Sequence, residues 1–343
     1  MPSDWGTRRR VAARRLLTLA ALLAACGAPS DDGPVEAVFL PAGSTLGPIT
    51  DSLVAHRLVG NRKWFTFVAR AGRFDRKLKA GYYEFRQGQP ALAILRRLAA
   101  GSEKTTRITI PEGFTILDMA AVAEEHLGVP ADSFVAAARD PRLVSEFGAD
   151  GESLEGFLLP ETYFVSRLIT ARGMVREMAG LFRRHWQPDW DARARAMGLS
   201  RRDLVTLASI VEGEARVDTD RPLIAAVYLN RLKLRMPLQA DPTVQFAIQA
   251  QSGHRKPRLF DRDYGFPSPY NTYLHPGLPP SPVGAPSLKS IEAVLAPAAV
   301  NYLYFVAGAD SHHVFSRTYA EHLRTVARLQ AAARKARKRD PAR

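Results

Sequence analysis

Two glutamates separated by one glycine stand out in residues 207–215, "LASIVEGEA", inside an otherwise apolar helical pattern. A carboxyl group beside a cleft can serve as a general acid or base, above all where burial raises its pKa. At about 100° per residue, Glu212 and Glu214 lie on opposite flanks of the apolar stripe, so they do not form a two-carboxylate pair. The helical phase does not choose between them. The structural alternative is a helix whose glutamates form ion pairs with Arg216 or Arg221.

Gly213 is costly for a helix, by about 1 kcal/mol relative to alanine. We interpret the stretch as the middle of an amphipathic helix, with an apolar stripe formed by Leu204, Leu207, Ala208, Val211 and Ala215. Because glycine has no side chain, our hypothesis is that a ligand or a loop approaches the helix closely at this position.

Several other chemistries have no support in the sequence. It contains no glycine-rich phosphate-binding loop, no GxSxG motif and no HExxH motif. The segment "DSHHVFS" (310–316) has two histidines, but neighbouring residues of a strand point to opposite faces, so His312 and His313 should not share one ion. Cys26 is the only cysteine, which rules out an intrachain disulfide and a cysteine-based zinc site. We therefore expect no metal and no cofactor.

The basic charge lies mainly at the two ends of the chain. Of the formal net charge of +14, residues 1–26 carry +4 and residues 328–343 carry +6, which leaves +4 for the body. Such a distribution suits a membrane or polyanion surface better than a groove that reads bases. We expect no nucleic-acid partner, and we interpret residues 328–343 as a solvated basic tail.

The N-terminus has the pattern of an export signal. A basic segment precedes "LLTLAALLAA", a mainly apolar run of ten residues that is too short to cross a bilayer but typical of a signal peptide. It ends in "LAAC", which resembles the lipobox of bacterial lipoproteins. We therefore predict a signal peptide at residues 1–25, lipidation of Cys26 and a polar tether at 26–34; an uncleaved short anchor is the alternative.

An internal repeat organises the next part of the chain. "VFLPAGSTL" (38–46) and "ITIPEGFTI" (108–116) each combine an apolar strand, a Pro-x-Gly turn and a threonine at a helix N-cap position. Residues 35–107 predict a small strand–helix–helix–strand lobe that resembles LysM modules, which bind N-acetylglucosamine-containing glycans. A purely structural lobe is the alternative.

The rest of the chain predicts a mainly helical domain with long loops. Apolar residues recur at helical spacing from about residue 166, whereas "MPLQADPTV" and "SPYNTYLHPGLPPSPVGAPS" have no period. Long ordered loops of this kind are usually functional. "NYLYFVAG" and "HHVFS" predict a two-stranded hairpin, and a basic helix closes the chain. The predicted fold class is thus α+β.

Eight stretches, in order and with natural spacing from about residue 36 to 327, together resemble the endolytic murein transglycosylases, the MltG or YceG-like family. They include "LKAGYYEF", "PEGFT", "LEGFLLPETYFV", "LASIVEGEA" and "HHVFSRTYAEH" together with the two loops and the hairpin strand. The resemblance implies a catalytic domain at 108–327. It also implies a lyase that cuts peptidoglycan strands between N-acetylmuramic acid and N-acetylglucosamine and leaves 1,6-anhydro ends.

The resemblance also implies roles for single residues. In the Glu-x-Glu motif of the family the second glutamate is catalytic, which points to Glu214. Residues that would contact the sugar are Gln239, Asp241, Tyr270, Asn271 and Tyr273, and further candidates are Glu212, Asn230, Arg231 and His313. For Asn230 and Arg231 a structural brace is an equal alternative.

The expected place of the protein is the cell envelope, anchored in a membrane and facing the periplasm. Family members usually carry an uncleaved membrane helix, so the lipobox is a departure that leaves open which membrane holds the anchor. The implied partners are glycan strands and penicillin-binding proteins. The alternatives are a muramidase-type hydrolase, in which water attacks, and a glycan-binding wall lipoprotein without catalysis.

Overall fold

The computed structural model describes residues 33–41, 43–101, 105–166, 169–308 and 310–339. The predicted signal peptide, Cys26, most of the tether and the last four residues lie outside this part of the chain. The described chain is α+β, as expected, with helices predominating over small two-stranded sheets. None of its helices is both long enough and apolar enough to cross a membrane.

The described residues contain four strands up to residue 166 and two near the C-terminus, with helices between them. They are β1 (Val35–Leu40), α1 (Leu46–Ala55), α2 (Arg62–Ala71), β2 (Gly81–Arg86), α3 (Ala91–Ala100), β3 (Thr105–Thr109), α4 (Ile116–Leu127), α5 (Ala131–Ala138), α6 (Pro141–Glu146), β4 (Thr162–Ser166), α7 (Ala171–His185), α8 (Trp190–Ala196), α9 (Arg201–Glu214), α10 (Arg221–Lys233), α11 (Asp241–Ser252), α12 (Leu288–Leu295), β5 (Tyr304–Ala307), β6 (His313–Ser316) and α13 (Tyr319–Arg339). Short 3-10 helices occur at Asp218–Asp220 and Asp261–Gly265.

The described chain divides into two compact units. One runs to Thr106 and includes Phe164–Arg167, and the other consists of Arg107–Tyr163 and Leu168–Arg343. In the first unit, β1 and β2 pair antiparallel with Val38 opposite Tyr83. Alternate residues of both strands and one face each of α1, α2 and α3 fill its core. The strand–helix–helix–strand order predicted for this region is therefore present.

The two threonines of the internal repeat both stand at helix N-caps, but only one caps through its side chain. Thr115 accepts a hydrogen bond from the backbone N–H of Asp118, and the Asp118 carboxylate accepts one from the backbone of Thr115, which forms a capping box. Thr45 precedes α1 in the same conformation without a side-chain bond.

In the second unit α9 is the central helix, and α10, α11 and α12 pack around it. Every residue from Leu204 to Glu212 is buried. The expected amphipathic stripe is thus wrong: α9 is covered on all sides, so its polar residues must find partners inside the protein. β5 and β6 form the predicted antiparallel hairpin.

Candidate active site

Glu214 is the last residue of α9, not part of its middle as the sequence pattern indicated. The helix begins at a capping box between Ser200 and Asp203, and Ala215 follows Glu214 in an extended conformation. The carboxyl group of Glu214 therefore lies where the buried helix opens towards solvent. Its side chain is half-buried.

Gly213 permits a close approach, and the neighbour is a segment of this chain. A Cβ atom at position 213 would lie 2.6 Å from Cγ and 2.7 Å from Cβ of Pro242. Pro242 belongs to the first turn of α11, where proline is well tolerated because that turn has N–H groups without helical partners. Gly213 thus lets α11 begin beside the end of α9 and brings Asp241 to Glu214.

The environment of Glu214 keeps its carboxyl group close to the midpoint of titration at neutral pH. Burial, followed by repulsion from Asp241, raises its pKa to about 7. The Tyr228 hydroxyl, which donates to Oε1 of Glu214 at 3.0 Å, opposes this shift, as do the Asp241 backbone N–H and the charge of Arg231. Burial also raises the pKa of Tyr228 well above its usual value, so this phenol remains a donor.

A second pair of side chains, Asp241 and Tyr273, lies beside Glu214. The hydroxyl of Tyr273 donates to Oδ1 of Asp241 at 2.7 Å, and the ring centroid of Tyr273 lies 4.6 Å from that of Tyr264. Burial and the bond to Asp241 raise the pKa of Tyr273. The charge of Glu214 adds to this increase. The structure therefore brings together Glu214, Asp241 and Tyr273. Asp241, however, is the first residue of a helix and does not belong to an irregular loop.

Gln239 has its side chain exposed to solvent two residues before Asp241. Its φ of 51° is in the left-handed region, which is uncommon for a residue other than glycine. The backbone N–H of Gln239 donates to the carbonyl of Thr272, and the next N–H, of Ala240, donates to the Thr272 hydroxyl. The loop thus holds the backbone of Gln239 in a strained conformation, and its side-chain amide is exposed where a ligand can reach it.

The expectation that Asn271 contacts the sugar is wrong, because the residue is fully buried. Its amide donates to the carbonyls of Tyr264 and Phe266, and its oxygen accepts from the N–H of Tyr273. These bonds satisfy its polar groups within the loop, so Asn271 shapes the loop that carries Tyr273. Tyr270 is half-buried and faces elsewhere: its ring packs on Phe246 at 4.8 Å.

Glu212 is also not a ligand contact, because its carboxylate is buried and fully engaged. It accepts from the backbone N–H and the hydroxyl of Ser287 and from the hydroxyl of Ser290. Arg221 pairs with its other oxygen at 2.9 Å, which is one of the two ion pairs that the structural alternative named. Glu212 therefore fastens the start of α12 and the start of α10 to α9.

Asn230 and Arg231 act as braces of the backbone. The Asn230 amide donates to the carbonyls of Val300 and Tyr302, and the Arg231 guanidinium donates to those of Leu303, Pro237 and Leu238. Arg231 is 8% exposed. Of the two alternatives for these residues, the contacts favour the structural one, although the charge of Arg231 reaches Glu214.

His313 has a buried side chain and pairs with Asp220, which makes it unsuited to touch a substrate. Its Nδ1 lies 2.8 Å from Oδ2 of Asp220, and Nδ1 of His312 lies 3.2 Å from Oδ1 of the same carboxylate. The prediction that the two histidines point to opposite faces is thus wrong. His312 precedes β6, so the alternation of side chains along a strand does not apply to it. Within the described residues no three His, Cys, Asp or Glu side chains form a group that could hold a metal.

Sequence reasoning missed Tyr228, the hydroxyl partner of Glu214. A signal was present: Tyr228 and Arg231 are three residues apart in "AAVYLNRL", so they share one face of a helix. The face that carries Arg231 towards Glu214 therefore also carries Tyr228.

Comparisons with known proteins agree with this architecture. The model of the YceG-like family matches residues 38–328. The chain is 29% identical over 301 residues to the endolytic murein transglycosylase of Bacillus subtilis, spanning 83% of this chain and 82% of that protein. It is 30% identical over 319 residues to the endolytic murein transglycosylase of Streptococcus pneumoniae, spanning 84% of this chain but 57% of that protein. A crystal structure of a YceG-like protein from Listeria monocytogenes matches with a TM-score of 0.58 and 29% identity, over 86% of this chain and all of that one.

Proposed function

Since the chain belongs to the YceG-like family, we propose that it is an endolytic murein transglycosylase, a lyase that cuts peptidoglycan glycan strands internally. The observation that carries this proposal is the environment of Glu214. A half-buried carboxyl group with a pKa of about 7 stands at the open end of a buried helix, beside a phenol that remains protonated. These are the requirements of a group that must both give and take a proton at neutral pH.

One carboxyl group is sufficient if the substrate provides the nucleophile. In the proposed reaction, protonated Glu214 gives its proton to the oxygen that links N-acetylmuramic acid to N-acetylglucosamine, and the bond from C1 to that oxygen breaks. The C6 hydroxyl of the same muramic acid then bonds to C1 and gives its proton to the Glu214 carboxylate. The products are a free 4-hydroxyl and a 1,6-anhydro end. No water is consumed and Glu214 returns protonated.

The neighbours of Glu214 suit the two halves of this cycle. Repulsion from Asp241 favours the protonated form that the first step needs. The hydroxyl of Tyr228 and the backbone N–H of Asp241 stabilise the carboxylate that the second step needs. Asp241 is held in place by Tyr273, so we assign this pair, with the exposed amide of Gln239, to substrate contact. Asp241 is a second carboxylate of the kind that a glycosidase using water needs as nucleophile or base, so the chemistry of the product ends decides between the two reactions.

Turnover on isolated, uncrosslinked glycan strands tests the proposed function. An endolytic enzyme produces fragments of intermediate length early in the reaction, whereas an enzyme that acts at strand ends produces the shortest products from the start. No turnover, with strands still bound, would instead favour a glycan-binding wall protein without catalysis.

The variant Tyr228→Phe is expected to move the pH profile of the enzyme. The free enzyme needs protonated Glu214, so kcat/KM should fall as pH rises through the Glu214 pKa, about 7. The Tyr228 hydroxyl lowers that pKa. Its removal should therefore raise the pKa and shift the falling limb to higher pH. The measurement is kcat/KM on glycan strands from pH 5 to 9.

The matched control is Tyr319→Phe, which removes a phenol hydroxyl from an exposed residue at the start of α13. Its profile should coincide with that of the wild type. A limb that stays in place or moves to lower pH in Tyr228→Phe would contradict the proposed role of the phenol.

The envelope location also belongs to this proposal. Murein lies outside the cytoplasmic membrane, and the lipobox ending in Cys26 would hold the chain there; penicillin-binding proteins remain the expected partners. Radiolabelled palmitate should enter the wild type and not the variant Cys26→Ser, and equal labelling of both would contradict lipidation.

The strand–helix–helix–strand order of the first unit supports a LysM-like lobe, whose glycan binding stays a prediction.

A further inference from the structure

A cavity of about 700 Å³ lies in the second unit, and its lining does not include Glu214, Asp241 or Tyr273. It is bounded by the start of α4, the segment around Glu155, the second half of α11 and two of the proline-rich loop segments. Its volume is in the range of cavities that hold small organic ligands. Sequence reasoning assigned it no role, and only Tyr270 among the candidate residues lines it.

A buried acceptor without a partner faces this cavity. Gln249 is 2% exposed, and its Nε2 donates to Oδ1 of Asp118 at 2.7 Å, which fixes the orientation of the amide. Its Oε1 has no hydrogen-bond donor among the residues that the structure describes. Buried polar atoms are usually paired, so this oxygen is an acceptor for an N–H or O–H group that a ligand brings into the cavity.

A buried carboxyl group adds the complementary polar function. Glu155 is 6% exposed and accepts from the backbone N–H of Ile116, the first residue of α4, at 3.1 Å. Burial raises the pKa of Glu155 to about 8, so the group is mainly protonated at neutral pH and has an O–H to donate. A cation would leave that O–H unused, whereas a neutral group with both a donor and an acceptor, such as an amide, matches both side chains.

An aromatic wall stands beside these polar atoms. The rings of Phe246 and Tyr270 lie 4.8 Å apart at an angle of 48°, and the Tyr270 hydroxyl is held 2.7 Å from Oγ of Ser281. Pro269 and Pro282 also line the cavity and stiffen its rim. Arg139, Asp150, Glu152 and Arg202 also line the cavity and add charged groups for the polar edge of a ligand. Rigid rings next to hydrogen-bonding groups match the apolar face and the amide of an N-acetylated sugar.

We propose that this cavity is a subsite for an N-acetylated sugar of the glycan strand, with Gln249 Oε1 accepting the acetamido N–H and the Phe246–Tyr270 pair packing on the ring. The inference rests on the proposed function. The helix α11 connects the two places, because its first residue, Asp241, neighbours Glu214. Gln249 comes eight residues later, about 12 Å along the axis. The subsite thus holds a sugar beyond those that flank the cleaved bond, which favours cutting inside a long strand.

The test fills the cavity from its rim without disturbing buried bonds. Ala250 is exposed and lines the cavity, so Ala250→Trp places an indole in it. The control Gln251→Trp puts the same side chain on the neighbouring exposed position, which does not line the cavity. On long glycan strands Ala250→Trp should raise KM about 10-fold, the size of one lost hydrogen bond or ring contact, with kcat retained.

Binding without turnover separates this inference from the proposed function. Calorimetry with the N-acetylglucosamine hexamer on the Glu214→Gln protein should show about 10-fold weaker binding when Ala250→Trp is added and no change with Gln251→Trp. Equal affinity and equal KM in Ala250→Trp and the wild type would overturn the subsite, even if the enzyme is active. Cavity-dependent binding by a wild type that never cleaves strands would reject the proposed function and leave the subsite standing.

Discussion

Replacement of Glu214 by glutamine is expected to lower turnover on glycan strands at least about 100-fold, the usual scale of general acid–base catalysis. Glutamine keeps the volume of the side chain and can still accept from the Tyr228 hydroxyl, which donates at 3.0 Å in the wild type. It has no dissociable proton, so neither the protonation of the leaving oxygen nor the activation of the C6 hydroxyl can take place. The measurement is the initial rate of strand cleavage at pH 6 to 7.

The free energy of unfolding of Glu214→Gln should not fall with its activity. A stability that holds or rises would separate the loss of catalysis from a loss of fold. The pKa of Glu214 is raised from an ordinary 4.5 to about 7. Its contribution to stability is therefore fully present below pH 4.5 and disappears as pH rises through 7. Glu214→Gln lacks this titration, so its stability relative to the wild type should improve as pH rises from 4.5 to 8. Wild-type activity in this variant would refute the assignment of Glu214.

Replacement of Glu212 by glutamine is expected to reduce the free energy of unfolding by about 3 kcal/mol, the lower end of the range for broken buried ion pairs. Four groups aim at this carboxylate: the N–H and hydroxyl of Ser287, the hydroxyl of Ser290, and Arg221. An amide NH₂ would face some of these donors, and the buried guanidinium would lose its closest counter-charge. Asp218 and Glu112, which lie 3.2 and 3.6 Å from Arg221, limit the loss. Chemical denaturation measures it.

The matched control is Glu292→Gln, on the exposed face of α12, the helix that Glu212 fastens. Its stability should stay within about 0.5 kcal/mol of the wild type, as for most surface substitutions. The activity of Glu212→Gln should exceed that of Glu214→Gln at temperatures where both are folded. A stable but inactive Glu212→Gln would exchange the roles of the two glutamates.

The α9 helix shows which features of the site can be predicted from the sequence and which depend on tertiary packing. Its existence, the divergence of Glu212 and Glu214, and a close approach at Gly213 all follow from helical geometry and from the missing side chain. The identity of the neighbour, Pro242, is a matter of tertiary packing and has no periodic signal. The end of the helix at Glu214 was missed for a related reason: the helical spacing of apolar residues extends to Ala215, which already lies outside the helix.

The loop residues illustrate where the sequence could not decide. Asn271 and Tyr273 are two residues apart in a segment without period, and both have side chains that suit sugar binding. One is fully buried and braces the loop, whereas the other reaches Asp241 beside Glu214. Only the folded backbone determines which of them turns inward, because an irregular segment lacks the alternation that assigns faces in helices and strands.

The chemistry of the new strand ends tests the central claim most directly. Purified protein is incubated with uncrosslinked glycan strands in ¹⁸O-labelled water, and the fragments are analysed by mass spectrometry. If Glu214 shuttles a proton and the C6 hydroxyl attacks, every new muramic acid end should be a 1,6-anhydro end, lighter than a reducing end by one water and free of ¹⁸O. Reducing ends that carry ¹⁸O would show that water attacks, and the proposed mechanism would then give way to that of a hydrolase.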